Sequence, residues 1–180
     1  LNELVSRRGR SFVQTVIYLP HFMSWVVVAS IFTIILSPQD GFVNNIIAQF
    51  GVTESTYFLA SEDWWTPIYL FISRWKETGW GTIIYLAALT TINPELYEAA
   101  EVDGAGKLKQ CLLITLPALT TTILIVFILN LGKVLNIFES VFVLQNPMVY
   151  DTSDVLTTFA YRTGFKDGNY GMGTAIDLFK

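Results

Sequence analysis

Long stretches without charged side chains are the feature that most constrains this 180-residue chain. No Asp, Glu, Lys or Arg occurs from Ser11 to Gln39, from Gln110 to Gly132 or from Thr78 to Pro94, which are runs of 29, 23 and 17 residues. A helix needs about 20 mostly apolar residues to cross about 30 Å of hydrocarbon, at a rise of about 1.5 Å per residue. The first two runs are long enough by themselves, and the third needs residues from its N-terminal side. The pattern predicts a membrane protein with several spans, or a piece of one.

The composition supports this prediction and excludes several classes of site. Charged residues make up 14% of the chain, whereas about 25% is typical of a soluble domain. One Cys cannot form an internal disulfide, and one His cannot build a His-based metal site. We therefore expect no metal site. We also expect no cofactor and no nucleic-acid partner. Because the chain begins at Leu1 without Met and ends at Lys180 in an apolar segment, we interpret it as a fragment cut at both ends.

The charge-free runs place the spans and predict the fold class. The first span is predicted at 16–37, the second within 66–92 and the third at about 117–135. Another span is predicted to begin near Tyr170, where three glycines favour a turn and close helix packing (Gly168, Gly171 and Gly173). The sequence thus predicts an all-α, polytopic membrane helical bundle with about three full spans and the start of a fourth.

The distribution of Lys and Arg orients these spans, since cytoplasmic connections carry an excess of both. The segment before the first span and the connection 93–116 hold five bases: Arg7, Arg8, Arg10, Lys107 and Lys109. The connection 38–65 holds none. We therefore place the N-terminal arm and 93–116 inside the cell, and 38–65 and about 136–168 outside. Trp64 and Trp65 suit the outer aromatic belt.

Three charged residues, Arg74, Lys76 and Glu77, lie within the helix predicted for the second span. If Ile92 marks the inner boundary, a helix 30 Å long reaches back about 20 residues and leaves the three near the outer interface. There the long side chains could extend to the interface or pair across a helix turn. The alternative is that they face a water-filled pathway, since charges inside a membrane usually mark one.

The cytoplasmic connection has the composition of a structured surface rather than a simple linker. Asn93 is a good N-cap, Pro94 fits a first helical turn and Gly104 offers a left-handed C-terminal cap, so a helix is predicted at about 94–103. Two small residues, Ala99 and Ala100, stand among acids. Small side chains allow another protein to approach closely, and acids can bind its basic groups. The composition fits either a docking surface or an amphipathic helix at the membrane interface.

This segment resembles the EAA motif of permease subunits in binding-protein-dependent ABC importers. The motif reads EAA, three residues, G, nine residues and I-x-LP, and the chain has Glu98-Ala99-Ala100, Gly104 and Ile114-x-Leu116-Pro117 at this spacing. Asp103 and Ala105 flank the glycine. Neighbouring sequence is similar to the carbohydrate-importer branch, as in YLPHF at 18–22, GW at 79–80, YLAAL at 85–89 and NP at 146–147. The resemblance covers essentially the whole chain.

The resemblance implies that 1–180 is part of a type I ABC importer transmembrane domain in the plasma membrane. Such an importer has two homologous permeases, two ATP-binding subunits and an extracytoplasmic solute-binding protein. The EAA helix of the family is a coupling helix that fits a cleft of the ATPase. Carried over, the residues that couple to the ATPase would be Glu98, Ala99, Ala100, Asp103, Gly104, Ile114, Leu116 and Pro117. The expected function is import of an oligosaccharide or polysaccharide fragment, with this chain forming half of the translocation pathway.

The chain itself lacks the G-x-x-x-x-G-K-[ST] motif for nucleotide phosphates. ATP hydrolysis is therefore expected on a separate chain, and this subunit is expected not to be an enzyme. Two other classes fit the residues less well. An ion-coupled carrier would need a buried carboxylate or a broken span, and the two clean spans contain no acid. An intramembrane enzyme would need paired ionisable groups at helical spacing inside a span.

Three residues are candidates for the translocation path. Asn130 lies in the third span, where an amide is costly against lipid. Trp75 and Trp80 could stack on sugar rings, because sugars are commonly held by aromatic rings with polar hydrogen bonds. The alternatives remain open: polar side chains in spans often bond to neighbouring helices, and Trp residues often serve in the belt or in packing.

Overall fold

The computed structural model describes residues 7–52 and 54–179, and every regular element in them is helical. The side chains of residues 7–11 lie outside the described part, and these include the three bases before the first predicted span, Arg7, Arg8 and Arg10. The α-helices are α1 (Arg7–Phe22), α2 (Trp25–Ile35), α3 (Phe42–Gln49), α4 (Glu62–Leu89), α5 (Glu95–Val102), α6 (Lys107–Gln110), α7 (Leu116–Val134), α8 (Glu139–Leu144), α9 (Tyr150–Ser153), α10 (Leu156–Tyr161) and α11 (Tyr170–Phe179). Short 3-10 turns occur at Phe58–Ala60 and Pro147–Val149, and π-helical turns at Cys111–Thr115 and Arg162–Lys166. The predicted all-α class is confirmed.

The helices are grouped into two compact units. The first unit contains the residues up to Thr78 and those from Leu135 onward. The second unit is Gly79–Val134. Helix α4 begins in the first unit and ends in the second, and the whole EAA segment lies in the second unit.

The hydrophobic core of the first unit is built from α2, α4 and the connections predicted to lie outside the cell. Its buried residues are Val28, Ala29, Leu36, Phe58, Leu59, Trp65, Ile72, Val141, Leu144 and Val149. Trp65 is only 3% exposed, and its ring stacks on Tyr69 with the ring centroids 5.1 Å apart. Its Nε1 donates to the carbonyl oxygen of Leu144 at 3.3 Å. The prediction that Trp65 belongs to the aromatic belt is therefore wrong; Trp64 is half exposed.

The residues predicted as the first span form two helices with a sharp bend between them. Helices α1 and α2 meet at an angle of 102°. Pro20 lies in the last turn of α1, where its ring and missing N–H weaken the helix. Ser24 then starts a new helix, because its side chain accepts a hydrogen bond from the Val27 amide at 3.3 Å. The segment predicted as one span at 16–37 thus consists of two helices that meet at a bend.

Lys76 of α4 stabilises the bend. It is only 5% exposed, and its Nζ donates to the carbonyl oxygen of His21 at 3.0 Å. The ammonium also lies 5.3 Å from the centroid of the Trp25 ring, which is within range of a cation–π interaction. A cation at the C-terminal end of α1 is favourable both as a hydrogen-bond donor to a carbonyl of the last turn and for the helix dipole. The buried side chain of Lys76 thus does not extend toward solvent, whereas the depth of Lys76 in the membrane stays a prediction.

Glycines bring α10, the second π-helical turn and α11 together. A Cβ built on Gly173 would lie 2.9 Å from the Cα of Gly164, so the two backbones are in close contact. Gly168, in the connection before α11, has φ +72°, in the left-handed region that favours glycine. The predicted turn and close packing are confirmed at Gly168 and Gly173.

Among the described residues, one continuous helix is long and apolar enough to cross a membrane. It is Lys107–Val134, which joins α6, the π-helical turn and α7. None of its most apolar stretch is buried in the structure. The bent pair Phe12–Phe22 and Trp25–Ile35 qualifies if both helices are counted as one broken span. Helix α4 is 28 residues long but does not qualify, and its crossing of the membrane stays a prediction.

Candidate functional site

The start of α5 is fixed by an asparagine. Oδ1 of Asn93 accepts a hydrogen bond from the Glu95 amide at 3.1 Å. In return, Nδ2 of Asn93 donates to Oε2 of Glu95 at 3.1 Å. Pro94 between them already has helical angles, φ −58° and ψ −31°. The predicted capping by Asn93 is confirmed, although the helix itself begins at Glu95.

The end of α5 is fixed by a glycine in the left-handed conformation. Gly104 has φ +74°, and its amide donates to the Glu101 carbonyl at 3.0 Å. The Ala105 amide reaches back to the Ala100 carbonyl at 2.8 Å. These two bonds are those of a Schellman motif, which satisfies carbonyls that a helix end leaves unpaired. Because an isolated eight-residue helix is unstable in water, the caps at both ends hold α5 in shape.

One side of α5 consists of exposed residues. Glu95, Glu98, Ala99 and Val102 are exposed and recur at the i, i+3, i+4, i+7 spacing that places residues on one helix face. Val102 is 89% exposed. We call these four residues the docking face. It combines two carboxylates with a small residue and an unpartnered apolar side chain, so it offers both close approach and attraction for basic groups.

The two alanines of the EAA motif have different surroundings. Ala99 lies in the docking face, whereas Ala100 is half-buried and lies on the opposite side with Tyr97. The carbonyl of Ala100 also takes part in the C-terminal cap. The predicted close approach of a partner thus concerns Ala99, and Ala100 contributes to packing within the chain. Asp103, the last of the predicted acids, ends α5 and is exposed.

The remaining motif residues lie at the start of the long helix Lys107–Val134. Ile114 is half-buried in the π-helical turn Cys111–Thr115, and Leu116 and Pro117 begin α7. Proline lacks an N–H, and its ring clashes with the carbonyl four residues earlier. The helix widens just before this proline, and the Leu116 amide bonds to the Cys111 carbonyl five residues back. Pro117 gives a physical reason for the π-helical turn at this place.

A contact that was not predicted from the sequence joins α5 to this turn. The Tyr97 hydroxyl lies 2.8 Å from Oγ1 of Thr115, and both side chains are half-buried. The hydroxyls are 18 positions apart in sequence. In the sequence, only the three-residue spacing of Tyr97 and Ala100 indicates which face of α5 packs against the rest of the protein. Tyr97 and Thr115 are therefore further candidate site residues.

The candidate path residues are distributed over both units. Trp75 belongs to the first unit and packs edge-on against Phe32, with the ring centroids 5.6 Å apart. Trp80 and Asn130 belong to the second unit, and both are exposed. Packing against Phe32 agrees with the packing alternative for Trp75. A role in transport remains a prediction for all three residues.

The first unit contains a half-open cavity that the sequence did not predict. Its volume is about 360 Å³, and aromatic rings from α10, α11 and the connections line it together with a carboxylate: Phe138, Tyr161, Phe165, Tyr170 and Asp177. Tyr161 lies in ring contact with both Phe138 and Phe165, at centroid distances of 5.6 Å in each case. Exposed rings beside polar side chains are suited to binding sugars. These aromatic residues are spread over more than 30 positions of sequence, which is why their spacing did not reveal the cavity.

The described residues contain no grouping suited to metal chemistry. Among residues 7–52 and 54–179, His, Cys, Asp and Glu side chains form no group of three or more that could hold an ion. The acids of α5 are exposed and spread along the helix. The chemistry available at the EAA segment is recognition of another surface.

A family model matches residues 1–172, and it describes the binding-protein-dependent transport system inner membrane component. Among curated proteins, the chain is 44% identical over 181 residues to the polygalacturonan/rhamnogalacturonan transport system permease protein YteP of Bacillus subtilis (strain 168). The match covers 100% of this chain and 56% of that protein. The chain is also 30% identical over 185 residues to the trehalose/maltose transport system permease protein MalF of Thermococcus litoralis, covering 99% of this chain and 59% of that protein.

A solved structure shares the fold. It is the crystal structure of a bacterial ABC transporter involved in the import of the acidic polysaccharide alginate. The TM-score is 0.94 at 42% sequence identity, and the match covers 99% of this chain and 62% of that chain. The chain therefore spans 56–62% of the length of the three proteins named.

Proposed function

The chain belongs to the family of binding-protein-dependent transport system inner membrane components, and from this we propose that it is the permease subunit of an ATP-driven sugar importer. The observation that carries the proposal is the capped helix α5, which presents the open docking face between α4 and the long helix Lys107–Val134. A helix held in shape at both ends and exposed on one side is suited to docking in a partner. The named relatives are transport proteins rather than enzymes.

The partner that docks on α5 is the ATP-binding subunit, present as a dimer. The two carboxylates Glu95 and Glu98 attract basic groups of its cleft, and Ala99 allows the two backbones to approach. A second, homologous permease completes the translocation pathway, and an extracytoplasmic solute-binding protein delivers the substrate. A related crystal structure supports the last partner, since it holds the bacterial alginate ABC transporter in complex with an alginate pentasaccharide-bound periplasmic protein.

The substrate class is an oligosaccharide or a fragment of a polysaccharide. Polygalacturonan, rhamnogalacturonan and alginate in the names of relatives at 42–44% identity support it. The aromatic cavity of the first unit adds a surface suited to sugar rings. Asn130, Trp75 and Trp80 remain the candidate path residues.

The location is the plasma membrane, crossed several times. The family description names an inner membrane component, and the helix Lys107–Val134 is long and apolar enough to span. Its apolar surface is bare in the structure, which agrees with contact with lipid or with another subunit.

An uptake assay tests the proposed function. The full-length permease is reconstituted in proteoliposomes with its partner permease and ATP-binding subunit, and the binding protein is supplied outside. We expect uptake of a labelled oligogalacturonide to require both ATP inside and the binding protein outside. A proton or sodium gradient without ATP serves as the control and should give no uptake. Uptake that is driven by the ion gradient and does not depend on ATP would overturn the proposal in favour of an ion-coupled carrier.

A further inference from the structure

We propose that the contact between Tyr97 and Thr115, together with the π-helical turn Cys111–Thr115, forms the joint through which movement of α5 reaches α7. The inference rests on the proposed function, since it concerns how docking on α5 drives the membrane helices. It assigns a positioning role to two residues that do not lie in the docking face.

The joint lies on the side of α5 opposite the docking face. Tyr97 is separated from the centre of the docking face by nearly half a turn of helix, at about 100° per residue. A push on the docking face is therefore directed through the helix toward Tyr97. Since α5 is capped at both ends, it can move as one body rather than bend. The phenol ring is a rigid arm with few rotatable bonds.

Thr115 lies where the long helix is easiest to bend. It is the last residue of the π-helical turn and stands two positions before Pro117. Sharp kinks in helices occur at prolines and at π-helical turns, and such turns are frequent at functional sites. A force on a hydroxyl at this point can change the angle between α6 and α7. The free-energy cost of the bend is lower here than within a regular helix.

The contact between the two hydroxyls has good geometry and is partly shielded from water. The two oxygens are 2.8 Å apart, an ordinary length for a bond between hydroxyls. Both side chains are half-buried, which reduces competition from water and strengthens the bond. Thr115 keeps this contact although a threonine in a helix can instead bond back to its own backbone, as Thr120 does to the Leu116 carbonyl at 3.2 Å.

Hydroxyl-deletion variants test the joint in the assembled importer. Tyr97→Phe and Thr115→Val each remove one hydroxyl and leave the docking face unchanged. We expect both variants to co-purify with the ATP-binding subunit and to hydrolyse ATP, while sugar transported per ATP falls about fivefold, the factor that corresponds to one net hydrogen bond. The double variant should be no worse than either single variant, because the bond is already lost. Thr115→Ser keeps a hydroxyl at this position, so its ratio of sugar transported per ATP should stay near that of the unsubstituted permease.

Thr120→Val is the matched control, since it removes a hydroxyl from the same helix outside the joint. Unchanged transport per ATP in Tyr97→Phe and Thr115→Val, or a double variant whose loss is the product of the single losses, would overturn the joint. The proposed function fails in a different way. In that case the unsubstituted permease itself would show no ATP-dependent uptake or no association with an ATP-binding subunit.

Discussion

Replacing Glu98 by lysine is expected to stop uptake and to prevent recovery of the ATP-binding subunit with the full-length permease. Glu98 is an exposed carboxylate of the docking face, and the substitution sets a positive charge against the basic groups proposed in the partner cleft. Loss of one partner of a charged pair that becomes buried in an interface costs about 2–5 kcal/mol. Even the lower figure weakens binding about 30-fold. Co-purification and uptake in proteoliposomes measure the effect.

Glu101→Lys is the matched control for this prediction. It makes the same change of charge on the same helix, and Glu101 is also exposed, but it does not belong to the docking face. We expect Glu101→Lys to keep most of the recovered ATP-binding subunit and of the uptake. If the two variants lose association equally, the net charge of α5 rather than its docking face is what matters. If neither loses it, the docking face as defined is wrong.

Replacing Gly104 by valine is expected to lower uptake about tenfold while the permease still inserts in the membrane. Gly104 has φ +74°, a conformation that costs a residue with a Cβ about 1–2 kcal/mol, and a β-branched side chain is especially strained there. The strain opens the Schellman motif, so α5 frays at the end next to Val102 of the docking face. Uptake and the yield of purified permease are measured together, which separates lost coupling from lost protein.

Gly106→Val is the control at a neighbouring glycine. Gly106 has φ −66°, which any residue adopts, and open space surrounds the position of its absent Cβ, as it does at Gly104. The two positions thus differ in backbone conformation rather than in room. We expect Gly106→Val to transport nearly normally. Similar losses at both positions would show that bulk in this connection, and not the left-handed cap, causes the effect.

The parts of the fold that depend on local sequence could be predicted. Charge-free runs predicted helices, and the capping of α5 by Asn93 and Gly104 follows from residues that act within one turn of their own position. The bend between α1 and α2 could not be predicted in full. Pro20 weakens the end of α1 locally, but the 102° angle also depends on Lys76, which reaches His21 from 55 positions along the chain.

The burial of Trp65 has the same kind of cause. Two adjacent tryptophans before a span are typical of an interface belt, and their spacing does not distinguish the two rings. Trp65 is buried because its Nε1 meets the carbonyl of Leu144, 79 positions away. The position of such a partner depends on how the connections fold over α4, and residues 62–78 alone do not determine it.

The candidate site also has a part that the sequence predicted and a part that it did not. The motif residues were found from their spacing, and the exposure of Glu98 and Ala99 agrees with the predicted docking role. Which alanine would face outward depends on the rotation of α5 about its axis. That rotation is set by the Schellman motif at Gly104 and by the contact of Tyr97 with Thr115. The contact of Tyr97 with Thr115 joins residues 18 positions apart, so the spacing of the motif did not distinguish Ala99 from Ala100.

The most direct test of the coupling role of α5 is a photo-crosslink from the docking face in membranes that contain the complete importer. A photoreactive phenylalanine analogue is placed at Ala99 and, in a second variant, at Asp151, an exposed residue of the connection predicted to lie outside the cell. We predict an adduct of the permease with the ATP-binding subunit from position 99 and none from position 151. An adduct with that subunit from position 151 but not from position 99 would contradict the assignment of α5 as the cytoplasmic coupling helix.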